Sequence, residues 1–168
     1  MATNLVYRTA TPADKAQLIE LGVLAYGQFK DRLSPENWEE MRQGLTNEAG
    51  WYWLFAKSHP IVAADGDRIV GMAFLFLSGN PWQVYPADWS YIRLVGVHPD
   101  YEGQGIGTAL TRWCVEKARE SGEKTIALHT SELMLGAQHI YKSAGFKQVE
   151  KLPDRFGISY WLFRLDFE

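Results

Sequence analysis

Seven consecutive residues of this 168-residue chain, Glu102-Gly103-Gln104-Gly105-Ile106-Gly107-Thr108, combine two properties that together make an anion site. Glycine lets backbone approach a ligand closely, and the first N–H groups of a helix have no partner inside it. A glycine-rich turn that leads into a helix therefore presents unpaired donors at the positive end of a helix dipole, which suits a pyrophosphate. A second residue with chemistry to offer is Tyr141. A phenol with a pKa near ~10 stays protonated at neutral pH and can give its proton to a leaving group. Leu133, Ala137, Ile140, Tyr141 and Ala144 also form one apolar helical face, so without further context Tyr141 reads as a core ring packed on a sheet.

The elements that must hold these residues are legible from pattern. Asn4 to Thr9 reads as a first strand. Thr11-Pro12-Ala13-Asp14 gives a cap, a proline at the first helical position and a carboxylate three residues after the cap, so a helix burying Leu18, Leu21 and Ala25 should follow. Ser34-Pro35-Glu36 repeats the start signal for a second helix facing inward with Trp38, Met41 and Leu45. Trp51 to Ala56 fits a strand or a short helix equally. Ile61–Ala64 and Arg68–Leu77, joined by Asp65-Gly66-Asp67, read as a β-hairpin. Ser78 to Ser90 is a long aromatic connection, and Tyr91–Val97 is a strand stopped by His98-Pro99-Asp100. A helix from about Gly105 to Ser121, a strand at Thr125–Thr130, a helix at Leu133–Ala144 and a terminal strand at Ile158–Phe167 complete the order. This is mixed α/β (α+β) in one layer of sheet, a single domain over residues 1–168.

A dinucleotide-binding Rossmann unit is the obvious competitor for the glycines, and it fits poorly. Its third glycine would fall on Thr108, and His98–Glu102 separate the strand from the turn. The segment Val95-Gly96-Val97-His98-Pro99-Asp100-Tyr101-Glu102-Gly103-Gln104-Gly105-Ile106-Gly107-Thr108-Ala109-Leu110 instead resembles the acyl-CoA motif of the GNAT superfamily of N-acetyltransferases. Ala137-Gln138-His139-Ile140-Tyr141-Lys142-Ser143-Ala144-Gly145-Phe146 resembles the second signature of the same family, Ala-x-x-x-Tyr-x-x-x-Gly-Phe. Two departures are visible: Glu102 stands where Gln or Arg usually opens the turn, and Met134 where Asn often precedes the second signature. A carboxylate pointing at a pyrophosphate would repel it, so Glu102 is expected to face solvent.

The resemblance implies a GNAT fold, a mostly antiparallel sheet flanked by helices with a central strand pair splayed open at the acyl-CoA site. It implies that acetyl-CoA is the co-substrate. Val95, Gly96 and Val97 would pair with the pantetheine arm, their backbone N–H groups facing the thioester oxygen, and Gly96 could mark a bulge. Gly103, Gln104, Gly105, Ile106, Gly107 and Thr108 would hold the pyrophosphate. Tyr141 would border the cofactor and act as general acid. An acceptor amine must lose a proton, and Tyr91–Val97 carries no carboxylate where many relatives have Glu. Asp88, His129 and Glu132 are the candidate bases; each also has a plain structural reading, as turn residue, strand histidine and first-turn charge. Trp82, Tyr85 and Trp89, with Trp51 and Trp53, are expected to wall an acceptor pocket for a small amine. The alternative function is a non-catalytic acyl-CoA-binding or sensing module.

Composition limits the partners. A net charge of −3 offers no basic face for nucleic acid. The longest apolar stretch, Met72–Leu77, is too short for a bilayer, and the first residues lack a signal peptide's basic start and apolar run, so a cytoplasmic protein is expected. The lone Cys114 cannot form an internal disulfide and sits mid-helix as packing. No metal is expected, and a homodimer stays open.

Overall fold

In a computed structural model, which describes residues 4–168, seven strands form one sheet in the order β1-β2-β3-β4-β5-β7-β6. The strands are β1 (Leu5–Thr9), β2 (His59–Asp65), β3 (Arg68–Phe76), β4 (Ser90–Val97), β5 (Thr125–Ser131), β6 (Lys147–Arg155) and β7 (Ile158–Asp166). Every neighbouring pair is antiparallel except β4 and β5. Helices α1 (Lys15–Gly27), α2 (Pro35–Thr46) and α3 (Glu48–Lys57) precede the hairpin, while α4 (Ile106–Glu120) and α5 (Leu135–Ser143) flank β5 in sequence.

Local chemistry explains the starts of these helices. The Asp14 carboxylate accepts the Thr11 N–H at 2.9 Å and both Arg8 guanidinium nitrogens at 2.8 and 2.9 Å, so residues 12–14 form a 3-10 turn and α1 follows it. Arg8 accordingly holds the Asp14 pKa below the usual carboxylate range. Ser34 caps α2 by accepting the Asn37 N–H, as its sequence signal predicts. Asn47 does the same for α3 through the Gly50 N–H, and this cap decides the ambiguous Trp51–Ala56 segment in favour of helix. Trp51 is buried, with its indole N–H donating to the Leu45 carbonyl at 2.7 Å.

Two cores lie on opposite faces of the sheet. One joins Ile106, Leu110 and Cys114 of α4 and Tyr141 of α5 to Ile92 of β4. The other joins Leu18 and Leu21 of α1 and Trp51 and Leu54 of α3 to Met72, Phe74 and Tyr91. Strand β6, unexpected from sequence, is an edge strand with one buried residue, Leu152. The segment from Ser78 to Ser90 is anchored at both ends: the Gly79 N–H donates to the Ala87 carbonyl, and Trp82 and Tyr85 exchange backbone bonds. No helix among the described residues is long and apolar enough to cross a membrane.

Candidate active site

The sheet is open at its centre. Strands β4 and β5 pair only at Ser90–Ile126 and Tyr91–Ala127, after which no ladder joins them. Backbone N–H and C=O groups on that side of residues 92–97 therefore have no strand partner. In β4, Leu94 adopts φ of +54°, and the β3–β4 register advances by two residues on β3 (Met72 to Phe74) against three on β4 (Gly96 to Arg93). This is a β-bulge, and it is centred on Leu94 rather than on Gly96. It reverses the side-chain alternation, so Ile92, Val95 and Val97 share the α4 face while Tyr91 and Leu94 share the α1 face. Gly96 has a different reason: a Cβ there would lie 3.2 Å from Met72 Cε and 3.4 Å from Ala25 Cβ.

Past this opening the chain reaches the glycine turn. Gly103 and Gly105 have φ of +79° and +82°, the left-handed region that side chains other than glycine avoid. The first helical bond after Gly105 runs from the Ala109 N–H to the Gly105 carbonyl, which leaves the N–H groups of Ile106, Gly107 and Thr108 without helix partners. A cleft of about 610 Å³ is lined by Val95, Gly96 and Val97 on one side, this turn at its end, and Ala137, Ile140 and Tyr141 of α5 opposite. Thr111 also lines it, and its buried hydroxyl has no hydrogen-bond partner among the described residues. An open strand edge, free helix-start amides and an orphaned hydroxyl together fit a ligand with an amide arm and a pyrophosphate. Glu102 is exposed at the rim, where Gln28 Nε2 donates to its carboxylate at 3.0 Å.

A second cavity, of about 200 Å³, opens on the other side of the bulge. Phe29, Val95, Leu133, Met134 and Tyr141 line both spaces, so the two adjoin along a wall that includes the phenol. Tyr141 is 5% exposed and held by edge contacts with Phe146 and Phe163, and its hydroxyl has no partner among the described residues. Burial pushes its pKa above the ordinary phenol value, which keeps the proton on oxygen at any physiological pH.

Arg93, Arg155 and His129 are the ionisable nitrogen groups of the second cavity, and Thr130 and Ser131 add hydroxyls. The Arg93 guanidinium carbon sits 3.7 Å from the Trp82 ring centroid, with the Trp53 and Phe76 rings at 5.7 and 5.9 Å. Burial lowers its pKa, though a guanidinium remains a cation at neutral pH. His129 Nδ1 lies 2.6 Å from the Tyr85 hydroxyl. With the phenol as donor the neutral imidazole carries its proton on Nε2; with Nδ1–H as donor the phenol oxygen accepts. Burial, reinforced by the positive charges of Arg155 and Arg93, lowers the His129 pKa to about 4.

This histidine carries a stability prediction. Between pH ~6.5 and ~4 the unfolded chain protonates His129 and the folded one does not, so its stabilising contribution is complete above the unfolded pKa. It is then lost as pH falls towards the folded value, on the order of 3 kcal/mol in all. Urea midpoints measured from pH 7 to pH 4 should drop more steeply for the wild type than for His129→Gln. Parallel curves would show that His129 is not buried in its neutral form.

The residues read from sequence divide clearly. Val95, Gly96, Val97, Gly103, Gly105, Ile106, Gly107, Thr108 and Tyr141 line the first cleft. Gln104 is exposed in the same turn and does not line it. Of the base candidates, His129 lines the second cavity. Asp88 is exposed in the aromatic loop, and Glu132, whose carboxylate accepts the Ser159 N–H, caps the end of β7; neither lines either space. Trp82 and Trp51 do wall the second cavity, whereas Tyr85 supports His129 from behind and Trp89 stacks on Arg164 elsewhere. Arg93, Arg155 and Tyr26 were not anticipated; a lone arginine inside Tyr91-Ile92-Arg93-Leu94-Val95 was the available signal. Among the described residues no group of three or more His, Cys, Asp or Glu could hold a metal ion.

A mostly antiparallel sheet that splays between β4 and β5 above a glycine turn defines the class, an acetyltransferase-type α/β domain. The chain belongs to the Acetyltransferase (GNAT) family, whose model matches residues 26–146. It is 37% identical over 150 residues to an uncharacterised N-acetyltransferase of Methanocaldococcus jannaschii, covering 85% of this chain and 61% of that one. It is 28% identical over 124 residues to rat N-acetyltransferase 8F1, covering 73% of this chain and 49% of the relative. The chain thus spans about half the length of the curated relatives it matches. Among solved structures, the PaiA N-acetyltransferase of Thermoplasma acidophilum in complex with coenzyme A superposes with a TM-score of 0.80 at 15% identity, covering 99% of this chain and 100% of that one. The YncA protein of Salmonella typhimurium, solved with acetyl-CoA, gives 0.72 at 19% identity, covering 98% of this chain and 94% of that one. At these identities the likeness is one of fold.

Proposed function

We propose that this chain moves an acetyl group from acetyl-CoA to the amino nitrogen of a small acceptor by direct attack. The observation that carries the reading is the shared wall: Tyr141 and Val95 border both the long cleft and the second cavity. Donor and acceptor could meet at this wall, which Phe29, Leu133 and Met134 extend. Acetyl-CoA supplies the activated acyl group as a thioester. The free N–H groups of Ile106, Gly107 and Thr108 suit its pyrophosphate, and the open edge of β4 suits its amide arm. The same edge offers N–H donors to the acyl oxygen as it gains negative charge. Coenzyme A in the Thermoplasma protein and acetyl-CoA in the Salmonella protein support the choice of donor.

As the C–N bond forms and the C–S bond breaks, Tyr141 protonates the departing sulfur. The amine's surplus proton leaves through water. His129 is a poor base for it, since its pKa of about 4 lies far below that of an ammonium ion. Asp88 and Glu132 lie off the cavity walls.

Thiol release from acetyl-CoA, followed with a broad panel of small amines and with mass spectrometry of the products, tests the reading. Release that depends on one class of amine, with acetylated product, is the expected result. Tight acetyl-CoA binding without thiol release from any amine would instead identify a non-catalytic acyl-CoA-binding module.

A further inference from the structure

The second cavity is a site for negative charge. Its walls include two arginines and one histidine and no Asp or Glu. Neither Arg93 nor Arg155 enters an ion pair among the described residues. Arg93 is held against the Trp82 face, and its in-plane N–H groups have no hydrogen-bond partner there. A partly buried cation without a counter-ion is costly unless a ligand provides one. Arg155, exposed at the end of β6, packs on Phe156 and Tyr160 and has only a long contact, 3.5 Å, to Gln83 Oε1. His129 lines the same cavity, with its Nδ1 paired to the Tyr85 hydroxyl, and adds no negative charge.

Thr130 and Ser131 add two hydroxyls to the walls, and most of the remaining surface is apolar or aromatic, among it Tyr26, Phe29, Leu33 and Trp82. A bare amine or polyamine would find no carboxylate here and would meet two like charges. From this juxtaposition we infer that the acceptor is an amino acid: a primary amine bearing a carboxylate, which Arg93 and Arg155 bind, and an apolar or aromatic side chain, which the ring-lined wall receives. This rests on the acetyl-transfer reading and names its substrate class. In the reaction the neutral amino nitrogen bonds to the acetyl carbon, the carbon–sulfur bond breaks, and one nitrogen proton is balanced by the proton that sulfur receives. The products are an N-acetyl amino acid and CoA with a free thiol.

The test compares L-phenylalanine, L-tryptophan and L-leucine with the amines lacking their carboxylates and with their methyl esters, in thiol release by the whole chain. The free acids should be favoured in kcat/KM by at least about 100-fold, since a buried cation left unpaired penalises the truncated acceptor. In Arg93→Gln that preference should fall below about 10-fold, with acetyl-CoA affinity unchanged as the control for folding. Arg155→Gln, at the exposed end, should reduce it by a smaller factor. Equal or better turnover of the amines, or an undiminished preference in Arg93→Gln, would overturn the inference. If no acceptor turns over at all, acetyl transfer itself fails, and calorimetry then decides this point separately. N-acetyl-L-phenylalanine should bind the wild type at least about 10-fold more tightly than N-acetylphenethylamine, and equal affinities would again overturn it.

Discussion

Tyr141→Phe should lower kcat by about 100-fold or more while leaving the KM for acetyl-CoA nearly unchanged, because the substitution removes a proton donor and little else. The ring stays. Phenylalanine preserves the edge contacts with Phe146 and Phe163, and the deleted hydroxyl has no partner to strand among the described residues. The thermal midpoint should therefore barely move, which separates a catalytic loss from unfolding. The effect should be greatest for the step that releases thiol, measured in a single turnover with a saturating acceptor. Full activity in Tyr141→Phe would show that sulfur takes its proton from elsewhere, and the phenol would then be a packing residue.

Gly71→Ala should act through the core and still reach the cofactor. Gly71 lies in β3 directly under the first turn of α4. A Cβ there would stand 2.6 Å from Ile106 Cγ2, 3.1 Å from Leu110 Cδ1 and 3.4 Å from Ala63 Cβ. Ile106 and Leu110 are buried and the branched Ile106 methyl has little freedom to swing aside, so the added methyl pushes on the first turn of the helix. Overpacking of this kind costs about 1–3 kcal/mol, and at this chain length each kcal/mol lowers the thermal midpoint by roughly 2–4 °C. The same displacement moves the free N–H groups of Ile106, Gly107 and Thr108, so the KM for acetyl-CoA should rise alongside. Gly96→Ala is the comparison. Its nearest obstacle is the flexible end of Met72, and its penalty should be smaller. An unchanged midpoint and KM in Gly71→Ala would show that α4 is not seated on that glycine.

What could be read from the sequence was what the backbone encodes locally. The turn at Gly103–Gly107 was legible because left-handed φ and a helix start need glycine in that order. The α2 start was legible because Ser34 and Pro35 have few other uses side by side. Strand β6 escaped because eight of its nine residues are exposed and Pro153 interrupts it, so neither alternation nor an apolar run marks it. The helix at Glu48–Lys57 is ambiguous in sequence because its aromatic residues fit either period and a lone Asn47 is a weak start signal without the fold around it. The second cavity was less accessible still. Arg93, Arg155, Tyr26 and His129 come from four separate elements or their ends, and only the folded sheet makes them neighbours.

The bulge at Leu94 has a consequence for how this domain can change. It works as a phase shifter: residues before it count the pleat from Ser90, and residues after it count from one position later. Deleting a residue near Leu94 would restore the simple rhythm and turn Val95 and Val97 away from α4, removing both side chains from the wall of the long cleft. Point substitutions can retune either lining, but insertions and deletions in this short stretch are closed to it. Variation in the lining of either space must therefore come from substitutions and from the surrounding loops and helices, with the strand held at fixed length.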